Sequence, residues 1–132
     1  MNVESYLIKC WSIKTSSKWT AENPYRGQCG VTAMVINELF GRTILQTRVE
    51  EQWHYYNSIN GQQFDFTRNQ FDYDLTYHDI ASSRDEAFTD TNEFQYHELK
   101  RLLEKELSGV VGFNQPMIKS HGNSINTNNN LL

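Results

Sequence analysis

Asn60-Gly61 sits between two runs that read as strands, about Gln52 to Ile59 and Gln62 to Thr67. An Asn-Gly pair adopts the positive backbone angles that a two-residue hairpin turn demands. The two runs are therefore antiparallel neighbours, and the turn sets their register. Ile59 pairs with Gln62, Tyr56 faces Asp65, and His54 faces Thr67. Side chains alternate with period 2, so His54 and Tyr56 share a face. His54 and Asp65 become diagonal neighbours on that face, within reach of each other. The opposite face carries Trp53, Tyr55, Phe64 and Phe66, and reads as core. A slip of one residue would exchange the two faces.

Around this hairpin the chain reads as α+β: N-terminal helices packed on a small antiparallel sheet, with a helix near the C-terminus. Residues 2–14 form an amphipathic helix, with Val3, Tyr6, Leu7, Cys10 and Trp11 on one face. Asn2 is its N-cap. A loop covers Thr15 to Arg26, where Ser16, Ser17, Asn23 and Pro24 break regular structure. A second helix runs from Gln28 or Cys29 to Phe40 on a stripe of Val31, Met34, Val35 and Leu39, and Gly41 stops it. Thr43 to Val49 is a strand. Phe71 to Tyr77 alternates weakly, as an edge strand would. Ser82 to Asp90 reads as a loop. A last helix covers about Asn92–Leu107, capped by Thr91 or Asp90, with Gly109 as its stop.

The chain has 132 residues, the size of one domain, assigned here to 1–119. Residues 120–132 are an Asn-rich stretch expected to be a mobile tail. Seven Phe, seven Tyr and three Trp supply enough apolar surface to exclude disorder across the body of the chain. No apolar run is long enough for a membrane helix, and the N-terminus lacks a signal-peptide pattern, so the expected address is the cytoplasm. The net charge of −4, with no basic stripe, argues against nucleic acid as a partner. No membrane partner is expected either.

Cys10 and Cys29 make neither a CxxC pair nor a zinc set, and a disulfide between them is not expected in a reducing compartment. Cys10 lies on the apolar stripe of the first helix and reads as core. His78 with Asp72, Asp74 and Asp79 matches no metal-ligand spacing and reads as a solvated acidic loop. His97 reads as surface. Cys29, His54 and Asp65 are ligand types, but no metal or other cofactor is assigned to them.

Cys29 is different, because it starts a helix. Aligned peptide dipoles and unpaired N–H groups there favour a thiolate and can hold an oxyanion. Gly27 and Gly30 leave room for a substrate at the sulfur. The plain alternative is a buried cysteine packed as a small hydrophobe. His54 alone is an ordinary hydrogen-bonding strand residue, and Asp65 alone an ordinary solvated one. Together with Cys29 they form a nucleophile, a base and an orienting carboxylate in chain order.

Gly27-Gln28-Cys29-Gly30-Val31-Thr32-Ala33-Met34-Val35, His54-Tyr55-Tyr56-Asn57, Gly61, Asp65-Phe66-Thr67 and Gln70-Phe71 resemble the YunG family of small bacterial proteins. Trp11-Ser12, Trp19 through Pro24, and Tyr96, Leu99 and Leu102 fit as well, so the resemblance covers about Trp11 to Leu107. The family pattern has Trp where Tyr56 stands and Leu where Phe66 stands; both changes keep bulk. That pattern is similar in turn to the transglutaminase-like branch of papain-like cysteine proteins. The resemblance implies a papain-like core, with Cys29 as nucleophile, His54 as general base and then acid, and Asp65 orienting His54. It makes Gln28 and the Cys29 N–H candidate oxyanion donors, and Trp19, Tyr56 and Asn57 candidate substrate-binding residues.

The expected function is a cysteine-dependent hydrolase or acyltransferase acting on an amide, ester or thioester carbonyl of a peptide, protein or small molecule. Protease, deamidase, amidase and acyltransferase chemistry all share such a trio. The alternative is a non-catalytic ligand- or protein-binding module on the same scaffold, with Trp11, Trp19, Tyr25, Trp53, Tyr55 and Tyr56 lining a groove.

Overall fold

The computed structural model describes residues 2–110. The expected Asn-rich tail lies outside them. Four helices, α1 (Val3–Cys10), α2 (Cys29–Phe40), α3 (Arg84–Phe88) and α4 (Glu93–Leu107), accompany four strands. These are β1 (Thr43–Val49), β2 (Gln52–Ile59), β3 (Gln62–Phe64) and β4 (Ile80–Ala81). The strands form one antiparallel sheet in the order β3-β2-β1-β4. The α+β class and the small antiparallel sheet are as expected.

α2 is the centre of the molecule. Cys29 through Ile36, with Leu39 and Phe40, are buried, so the helix is enclosed almost all round rather than along one stripe. One side packs on the sheet, and Asn57 donates from Nδ2 to the Ala33 carbonyl at 3.1 Å. α4 lies against α2 through Leu99, Leu103 and Leu107, and α1 leans on α4. Gly41 ends α2 in the left-handed region at φ 69°.

The hairpin register is the expected one: Ile59 faces Gln62, Ser58 faces Gln63 and Asn57 faces Phe64. β3 stops at Phe64, three residues short of the expected Thr67. The reason is local. Asp65 Oδ1 accepts the Thr67 N–H at 3.2 Å, folding the chain into a side-chain turn that removes it from the ladder.

Four other expectations change. α1 ends at Cys10, because Trp11 turns away and donates Nε1–H to Thr32 Oγ1 at 2.9 Å. The segment from Phe71 to Tyr77 is not a strand; the edge strand is Ile80–Ala81, paired with β1. Within Ser82–Asp90 the chain forms the short helix α3, capped by Ser83 Oγ accepting the Glu86 N–H. The cap of α4 is Asn92, whose side chain accepts the Gln95 N–H at 2.9 Å, not Thr91 or Asp90.

The division of the hairpin into a core face and a polar face also changes. Tyr55 is buried against α2, but Trp53 is 38% exposed under the Arg48 guanidinium. His54, Tyr56 and Thr67 are fully buried. Their face is covered by the irregular segment 71–79. Phe71 sets its ring edge-on to His54 at 5.2 Å, and Tyr77 does the same to Tyr56 at 5.0 Å. Thr47 donates to the Thr76 carbonyl at 2.9 Å. Both faces of the sheet are therefore core.

Candidate functional site

Cys29 and His54 line one cavity of about 450 Å³, within the ~300–1,000 Å³ typical of ligand sites. α2 presents Cys29 at its first residue, and β2 presents His54. Lys18, Arg26, Trp53, Gln70, Phe71 and Asp90 contribute to the same wall.

The histidine and its carboxylate are the best-defined part. His54 Nε2 lies 2.7 Å from Asp65 Oδ2, with side-chain exposures of 2% and 3%. Tyr77 donates its hydroxyl to the same Oδ2 at 2.8 Å. Thr67 supplies its N–H to Oδ1. Every bond holds the carboxylate still, and the carboxylate fixes the imidazole ring. The other ring nitrogen, Nδ1, is buried and has no hydrogen-bond partner among the described groups.

A second chain of bonds ties Asp65 to the approach to Cys29. Thr67 Oγ1 donates to Asp65 Oδ1 at 3.4 Å, and Gln70 Nε2 donates to Thr67 Oγ1 at 3.2 Å. Gln70 Oε1 then accepts the Gly27 N–H at 3.3 Å. Gly27 holds φ 73° and packs against Lys18, a position where a β-carbon would be both strained and crowded. Thr15 donates to Gln28 Oε1 at 2.9 Å and pins the same turn from behind.

The surroundings of Cys29 favour the thiol over the thiolate. Burial pushes the Cys29 thiol well up from its ordinary value, and the Asp90 carboxylate pushes it further. The Tyr55 backbone N–H pulls the other way but does not prevail. The S–H donates to Asp90 Oδ2 at 3.4 Å, and the same oxygen accepts the Gly30 N–H at 3.0 Å. The helix-start field expected to lower the thiol is thus opposed by desolvation and by an acidic residue beside it. Gln28 gives α2 no side-chain cap, and Asp90 supplies one from 60 residues away. Burial raises Asp90 as well, while Gly30 N–H, the Cys29 thiol and Lys18 pull it down.

The remaining expected site residues lie off the cavity wall. Gln28 is wholly buried behind Cys29, its oxygen bound to Thr15 and its Nε2 without a partner among the described groups. Trp19 is half-buried against the core, its Nε1 likewise unspent. Tyr56 donates to Asp79 Oδ1 at 2.8 Å and accepts the Asp79 N–H. Asn57 clamps α2 to the sheet.

Asp90 and Tyr77 escaped the sequence reading. A glycine in the first turn of α2 was the available signal for Asp90. A β-carbon on Gly30 would stand 2.6 Å from Asp90 Cβ and Oδ2, so the glycine makes room for this contact.

Among the described residues, no group of three or more His, Cys, Asp or Glu side chains is placed to hold a metal. In the 72–79 segment, His78 Nδ1 lies against Thr47 Oγ1, Asp74 meets Arg68, and Asp79 meets Tyr56. Cys10 and Cys29 are both free thiols. No helix among the described residues is long and apolar enough to cross a membrane.

The family model described as "YunG protein" matches residues 1–108. The chain belongs to the YunG family. A YunG relative from Bacillus subtilis (strain 168), named "Uncharacterized protein YunG", is 51% identical over 109 residues, which is 83% of this chain and 95% of the relative. The matched range contains Cys29, His54, Asp65 and Asp90 alike, and stops just past α4. No solved structure matches the chain.

Proposed function

We propose that the chain is a cysteine-dependent hydrolase or acyltransferase with a papain-like, transglutaminase-like arrangement of its site. The observation that carries this reading is the buried His54–Asp65 pair: His54 lines the same cavity as Cys29, and its Nδ1 has no hydrogen-bond partner among the described groups. A buried carboxylate on one imidazole nitrogen leaves the other to take and return a proton.

In the proposed reaction, Nδ1 takes the Cys29 proton and the sulfur attacks an acyl carbonyl. The carbonyl π electrons move to oxygen, which the Cys29 N–H at the start of α2 would hold. Collapse of the tetrahedral species breaks the bond to the leaving group, which receives the proton from His54. Water or an amine then attacks the thioester, gives its proton to His54, and regenerates the thiol.

Intact-mass spectrometry after incubation with a panel of p-nitrophenyl esters and peptide amides tests this. The expected result is an acyl adduct on Cys29 that Cys29→Ala abolishes and His54→Ala slows by about a hundredfold or more. Adduct formation that is indifferent to His54 overturns the reading. The second reading, a binding module, gains if the wild-type chain forms no adduct with any member of the panel.

A further inference from the structure

Asp90 does three things at once. Its Oδ2 accepts the S–H of Cys29 and the N–H of Gly30, and its side chain forms part of the cavity wall. It stands in the short connection between α3 and α4, whose turn is held by bonds from Asp90 N–H to Ala87 and from Thr91 N–H to Phe88. The residue as a whole is solvent-exposed, while its carboxyl group turns in against Cys29 and Gly30 and is desolvated there. A carboxylate oxygen at the first turn of a helix occupies the position an acyl oxygen would seek. Meanwhile His54 lines the same cavity, and its buried Nδ1 has no partner among the described groups. The thiol proton is thus committed to Asp90 instead of to the histidine.

We propose that Asp90 is a latch on the candidate site: it keeps Cys29 protonated and fills the N–H position at the start of α2, and reaction requires it to swing out with the α3–α4 connection. This rests on the hydrolase or acyltransferase reading and adds its regulation. Opening frees the Gly30 N–H, removes a negative charge from the sulfur, and leaves His54 as the group to which the proton passes. The charged and titratable groups facing Asp90 are Cys29 from α2, Lys18 from the loop before it, and His54 and Tyr55 from β2. Lys18 favours the charged carboxylate and so opposes release.

The test is the rate of Cys29 alkylation by iodoacetamide from pH 5 to 10, read by peptide mass spectrometry on the full chain. Cys10, buried in the core, is the internal monitor of folding. Asp90→Ala is expected to raise the Cys29 rate at neutral pH by about tenfold for each unit its midpoint falls. Cys10 stays protected. Asp90→Asn keeps an acceptor for Gly30 but loses the charge, so its midpoint falls by less. It decides the matter if Asp90→Ala does not fold. Wild-type rates and midpoints in the folded variants overturn the latch. The double variant with His54→Ala separates the two ideas. A gain that persists without His54 keeps the latch and removes His54 as base. A gain lost without His54 supports both.

Discussion

Asp65 divides its oxygens between His54 and Tyr77 on one side and Thr67 on the other. Removing it strands His54 Nε2 in a buried site, and an unsatisfied buried donor is costly. Asp65→Ala should lower the unfolding free energy by about 2–3 kcal/mol in urea titrations. Tyr77→Phe removes one donor and strands nothing on Asp65, so its cost should be about 1 kcal/mol. The His54–Asp65 contact was legible because Asn60-Gly61 sets the register and alternation does the rest. Asp90 was not legible. It reaches Cys29 from 61 residues away with no periodic signal, and an Asp before a helix looks like that helix's own cap. The upward push on the Cys29 thiol was hidden for a related reason: the helix-start field is local, but burial and an acidic neighbour are properties of the assembled site.

At the scale of elements, the sheet contains two tight turns of the same kind. Asn60 and Gly61 have φ 51° and 82°; Glu50 and Glu51 have φ 50° and 69°. Val49 faces Gln52, so the second turn also has two residues and takes the same primed geometry. Glutamate has no preference for the left-handed region, and the strain sits beside the cavity. Glu51→Gly should therefore stabilise the chain by about 1 kcal/mol, visible as a higher Tm with Cys29 alkylation unchanged. Asn92→Ala removes the N-terminal side-chain cap of α4 and should cost about 1 kcal/mol. α2, β1 and β2 were readable because each is long and bounded by Gly or a turn. α3 spans five residues, Arg84–Phe88, too short for a periodic signal. β3 was overextended because nothing in its alternation announces that Asp65 will bond back to Thr67.

The whole molecule buries a sheet on both faces, with α2 on one and a strap without regular structure on the other. The covering strap was invisible to periodicity, since Phe71, Tyr77 and His78 make their contacts from coil. One consequence is electrostatic. Burial raises the Cys10 thiol to about 12 and moves Cys29, Tyr25 and Tyr55 upward too. The folded chain keeps these protons at a pH where the unfolded chain has lost them. Stability from this source is complete below the ordinary thiol value of 9.0 and falls as pH rises toward 12. Melting scans should show a flat Tm from pH 6 to 8 and a steep decline above about pH 9.

The bond from Cys29 to Asp90 has a consequence for redox chemistry. Peroxide attacks thiolates and spares thiols. A resting chain whose Cys29 proton is held by a carboxylate should survive dilute hydrogen peroxide without forming a sulfenic acid that dimedone can trap. The same sulfur in Asp90→Ala should be trapped readily. The acidic neighbour of Cys29 should thus shield the sulfur from oxidants.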